Sequence, residues 1–185
     1  SSDVCSSDLG ALLCGSSFSN ISGDKTANNK GALDYWIVKL NSGAYTSWDK
    51  TIGGSLHDQL HDAIKTADGG YMLAGYSSSD ASYDKSEDTK GDTYLTYDYW
   101  IVKLNSEGGI LWEYTLGGFG NDIDPYVLQT RDGGFLVGGR SMSQASGNKT
   151  ENAINLSADY WLVKLDDNGM VQWNNTIGGI QMDAV

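Results

Sequence analysis

The chain has 185 residues, and its 24 acidic against 12 basic side chains leave a formal net charge of −12. That balance argues against a nucleic-acid partner, whose phosphates would be repelled, and no run approaches the roughly 20 apolar residues of a membrane span. Twenty-four glycines against one proline, with 11 tyrosines and 6 tryptophans, favour short strands and tight turns over helices.

Residues 1–9, SSDVCSSDL, read as the translation of a sequencing-adapter string and are expected to pack against nothing. Setting them aside leaves Cys14 with no disulfide partner in the fragment. From residue 10 onward one pattern repeats. Asp-Tyr-Trp-Ile-Val-Lys-Leu at 34–40 returns at 98–104 and, with Leu for Ile, at 159–165, spacings of 64 and 61 residues. A second tryptophan follows each first one by 12 positions, pairing Trp36 with Trp48, Trp100 with Trp112 and Trp161 with Trp173. Thr-Ile/Leu-Gly-Gly follows at Thr51, Thr115 and Thr176, with an aspartate seven residues past each threonine, at Asp58, Asp122 and Asp183.

Each period reads as four strands. The first covers about 59–66 or 123–130, and an Asp-Gly-Gly turn with positive-φ glycines reverses it into 70–76 or its equivalent. A long polar loop leads to the Asp-Tyr-Trp strand, in which Trp100, Val102 and Leu104 share one face and Tyr99, Ile101 and Lys103 the other. A hairpin such as Asn-Ser-Glu-Gly at 105–108 then feeds the fourth strand at 110–116. Bulky residues on both faces suit a sheet packed between two neighbours. The expectation is therefore an all-β fold, a β-propeller fragment of four-stranded antiparallel blades with a repeat of about 60 residues. Residues 10–53 would hold the last three strands of a partial blade, 58–117 and 122–178 two complete blades, and 179–185 the start of a further one. The six tryptophans are expected to be structural repeat positions, with Trp48, Trp112 and Trp173 packing blade against blade.

Little in the chain suggests catalysis. His57 and His61 form H-x-x-x-H, but a zinc-protease motif needs a helix and a glutamate beside the first histidine, where Asp58 stands and the segment is predicted as connector and strand. Both are read as surface histidines. Asp58, Asp122 and Asp183 recur in the connector between repeats, where an aspartate pins a turn by accepting backbone N–H groups. They are also candidate calcium ligands, since hard oxygen donors suit that ion. Glu113 and Glu151 are acids unique to one repeat, one on an outer strand and one in a loop. The long loops at 16–33, 76–97 and 140–158 each carry a Ser-Gly-Asp-Lys-Thr-like core and vary in length while the strands hardly change. Variable loops on a fixed scaffold are where recognition is placed, and Tyr83, Tyr94 and Tyr97 are the candidate ligand-binding residues. Strand alternation puts these loops at the same end as the connectors.

The set W-x-x-T-[IL]-G-G, then D, then T-x-D-G-G-[YF]-x-x-x-G, then S-G-D-K-T and DYW-[IL]-V-K-L resembles the β-propeller repeats of secreted Bacteroidetes-type proteins and, more distantly, the SBBP bacterial repeats. The resemblance spans residues 10–185 and implies an extracellular or cell-surface setting, often with a type IX secretion sorting domain elsewhere in the protein. It brings no catalytic residues. The reading is a non-catalytic scaffold or binding platform for a glycan or protein at the long-loop face, with the remaining blades of the same chain as further partners. The alternative is a fragment of a propeller enzyme such as a glycoside hydrolase, which would require a carboxylate unique to one blade and aimed at the axis.

Overall fold

The computed structural model, which describes residues 4–7, 10–91 and 96–183, is all-β. The described residues form three four-stranded antiparallel sheets. The first holds β1 (Val4–Ser7), β2 (Gly10–Ser17), β3 (Asp34–Leu40) and β4 (Thr46–Ile52). The second holds β5 (Asp58–Lys65), β6 (Tyr71–Ser77), β7 (Asp98–Leu104) and β8 (Ile110–Leu116). The third holds β9 (Asp122–Gln129), β10 (Phe135–Ser141), β11 (Asp159–Leu165) and β12 (Val171–Ile177). In every sheet each strand pairs with its neighbour in sequence. One 3-10 turn, Ile154–Leu156, precedes β11.

The turns follow from their residues. Gly69 and Gly133 take φ of 84° and 89° in the Asp-Gly-Gly turns, and Gly108 and Gly169 take 78° and 83° in the hairpins before β8 and β12. The hairpin before β4 carries Ala44 at the same position with φ 61°. A Cβ is disfavoured there by roughly 1–2 kcal/mol, so Ala44→Gly is expected to stabilise the chain by about 0.5–1 kcal/mol after the added unfolded-state entropy. Urea unfolding checks this; an unchanged or lower midpoint would show that the hairpin tolerates alanine without strain.

The sheets stack face on face. Tyr35 and Ile37 of the first sheet pack with Leu73, Trp100 and Val102 of the second, whose other face presents Met72, Tyr99 and Ile101 to Phe135, Val137 and Trp161 of the third. The two interfaces repeat each other. Trp48 lies edge-on to Tyr71 at 6.3 Å, and Trp112 edge-on to Phe135 at 6.1 Å. Tyr35 meets Trp100 at 4.9 Å and Tyr99 meets Trp161 at 5.3 Å. The Tyr35 hydroxyl donates to the Trp100 carbonyl at 2.9 Å, crossing Gly75, where a Cβ would stand 2.4 Å from it. The principal contacts between sheets all involve β5 or β9, the first strands of their sheets.

Two expectations differ from the structure. The first sheet has four strands, not three, because residues 4–7 pair antiparallel with β2, Cys5 opposite Leu12. Main-chain pairing on an open sheet edge needs no particular side chains, so an extended segment beside a free edge can fill it. Trp173 is 49% exposed and not an inter-sheet contact like Trp48 and Trp112. It lies on the face of the third sheet that no other sheet covers among the described residues, so the aromatic partner that Tyr71 and Phe135 supply elsewhere is missing.

Candidate functional site

The long loops and the connectors between sheets meet at one end of the molecule and bond to each other. Ser79 and Ser82 hydroxyls accept the N–H groups of Leu56 and Ser55, and Ser143 and Ser146 accept those of Gly120 and Phe119. Connector aspartates anchor this layer. Asp58, Asp122 and Asp183 each accept the N–H four residues back, from Gly54, Gly118 and Gly179, at 2.6, 2.8 and 2.7 Å. Their own N–H groups donate to the carbonyls of Leu33, Tyr97 and Ala158. Asp58 and Asp122 also take serine hydroxyls, Ser77 and Ser79 on the first and Ser143 on the second. The strand-opening aspartates Asp34, Asp98 and Asp159 lie so close to the first glycine of each Gly-Gly pair that a Cβ would fall 2.0–2.2 Å from their carboxylate oxygens. Burial pushes Asp98 up to about 7, with help from the Asp122 charge, and pushes Asp122 up to about 6.

The loop bases are fastened from inside. Lys25, Lys85 and Lys149, one per loop core, are all buried. Lys25 and Lys85 donate to the hydroxyls of Thr51 and Thr115 at 2.5 and 2.6 Å, and Lys149 donates to Ser141 at 3.1 Å. Desolvation lowers the pKa of each ammonium. A set that sequence reasoning missed completes the fastening. Asp49, Glu113 and Asn174 accept the indole N–H groups of Trp36, Trp100 and Trp161, and also the N–H of Thr26, Ser86 and Thr150 from the loops. The signal was available: each directly follows the second tryptophan of its repeat and each is an acceptor. Glu113, read earlier as a unique acid, therefore has a structural task shared by its counterparts.

Above these bases the predicted tyrosines part company. Tyr83 sits at the loop tip, 73% exposed, with φ 51°, where the equivalent residues of the other two loops are Gly23 and Gly147 at φ 56° and 54°. Tyr97 is half-buried at the start of β7, edge-on to Tyr76 at 5.5 Å. Tyr94 lies outside the described residues.

The first strands carry a second group that the sequence did not reveal. His61, read as a bland surface histidine, stands with Nδ1 3.6 Å from Asp124 Oδ1, and Asp124 Oδ2 is 3.4 Å from an Arg140 terminal nitrogen. Tyr126, 46% exposed, lies edge-on to the His61 ring at 4.7 Å. The Tyr76 phenol is raised in pKa by burial first and then by the Asp124 charge, with Arg140 opposing. Among the described residues no group of three or more His, Cys, Asp or Glu side chains could hold a metal ion. Compared with known proteins, the chain matches no family model and no curated protein.

Proposed function

We propose that the three sheets are successive blades of a β-propeller in a secreted or cell-surface protein, serving as a non-catalytic binding platform at the long-loop face for a glycan or protein. The propeller reading is supported by three meanders of the same strand order, by aromatic contacts that recur at both interfaces, and by contacts that converge on the first strands, as radial blades require. The extracellular setting rests on the resemblance to secreted repeat proteins.

The observation that carries the binding role is Tyr83. A bulky aromatic held in a left-handed conformation at a tip where both counterparts are glycine costs the fold free energy, and with the residue 73% exposed little of that is recovered by burial. Such a cost is explained by what the ring contacts outside the chain, and tyrosine supplies a large amphipathic contact at small entropic cost. Tyr83→Gly separates the two effects. The variant is expected to unfold at the same or a higher urea concentration than the parent, while capture on glycan and peptide arrays falls to background. Undiminished capture would remove Tyr83 from the recognition surface. Hydrolysis is disfavoured because glycosidases need two free carboxylates. Of the first-strand acids, Asp62 is already engaged by the amides of Ala63 and Val127, each at 2.8 Å.

A further inference from the structure

What holds this fold together is copied from sheet to sheet, and the group around Asp124 is not. Strand register makes Leu60 the counterpart of Asp124, Pro125 the counterpart of His61, and Tyr76 and Ser16 the counterparts of Arg140. Asp124 is a non-glycine residue at φ 57°, placed where the β9–β10 register slips between Gly138 and Arg140. Its neighbours, the Arg140 guanidinium and the His61 ring, are near but not closed on it, at 3.4 and 3.6 Å, beyond good hydrogen-bond length. The Arg140 Nε is buried without a hydrogen-bond partner among the described residues. Asp124, His61 and Arg140 retain 35%, 25% and 27% of their side-chain exposure, so solvent reaches all three.

The charge pattern selects the ligand. A carboxylate or phosphate offered to Arg140 would meet Asp124, and a cation offered to Asp124 would meet Arg140 and the His61 ring. A neutral ligand whose groups both donate and accept satisfies both. Vicinal hydroxyls do this, each giving its proton to Asp124 while accepting from Arg140, in charge-assisted bonds stronger than neutral ones. The exposed Tyr126 ring alongside supplies the apolar face that C–H groups of a pyranose would cover. We propose that His61, Asp124, Arg140 and Tyr126 form a subsite for one residue of a neutral glycan, bound through a vicinal diol. The proposal rests on the binding-platform reading and names a ligand class for it.

The test uses the full-length protein on an array of neutral gluco-, galacto- and manno-oligosaccharides, with uronate-bearing glycans and peptides as the other arms. Asp124→Gly removes the carboxylate with a residue that favours the same backbone conformation, and Arg140→Gln removes the charge. Each is expected to weaken neutral-glycan binding about tenfold or more without lowering the urea midpoint for Asp124→Gly. Neutral-glycan binding that survives both variants overturns the subsite, as does capture confined to uronates or peptides, and in either case the platform reading stands. Capture of nothing on any arm ends both.

Discussion

Trp100→Ala is expected to remove about 3–5 kcal/mol of stability, a large share of the 5–15 kcal/mol typical of a domain. Trp100 is fully buried, packs on Tyr35 at 4.9 Å and donates its indole N–H to Glu113 Oε2 at 2.6 Å. Truncation opens a cavity between the first two sheets and takes a donor from Glu113, itself only 9% exposed. The loop contact from Ser86 depends on that same carboxylate and would loosen with it. Trp173→Ala is the control, since its ring is half exposed, and it should cost less than about 1 kcal/mol. Urea unfolding of the two variants decides the matter: equal losses would mean that the buried tryptophan does not hold the sheets together.

The second large effect is on pH. Asp98 and Asp122 have folded-state values of about 7 and about 6 against an ordinary 3.8. Between those limits the folded chain binds protons that the unfolded chain has released, so stability declines as pH rises from about 4 to about 7. For Asp98 alone the linkage is of the order of 4 kcal/mol. On the acid side, Asp68 and Asp132 are held down at about 2 by hydrogen bonds from Lys103 and Thr66, and from Thr130 and Lys164. Their contribution is present above about 4 and is lost as pH falls toward 2. Thermal unfolding should therefore peak near pH 4–5 and decline by pH 7.5, and Asp98→Asn should flatten the decline. A melting temperature that rises steadily from pH 4.5 to 7.5 would contradict it.

The strands, turns and tryptophan pairs were legible because the chain states them three times. Alternation in Asp-Tyr-Trp-Ile-Val-Lys-Leu separates two apolar faces, and both faces of that strand in the middle sheet are buried. The connector aspartates were legible for the same reason. Repetition also hid things. Asp49, Glu113 and Asn174 are two acids and one amide that share only their place after the second tryptophan and their capacity to accept, so their common task is easily passed over until the strands are paired. Asp124 and Arg140 lie 16 positions apart in sequence and His61 lies in another sheet, so only the register and the bulge bring them together. Trp173 shows the limit of reading by analogy, since the same residue in the same register lies on a face that no other sheet covers among the described residues.

Because every described strand pairs with its immediate neighbour in sequence, no hydrogen-bond ladder among them waits for a segment made much later. A sheet emerging from the ribosome can close by successive hairpins and then settle on the sheet already formed, one unit after the next. Growth or loss of whole units leaves every remaining ladder intact. The number of units can thus change without rewriting any existing ladder, while the differences between units collect in the long loops.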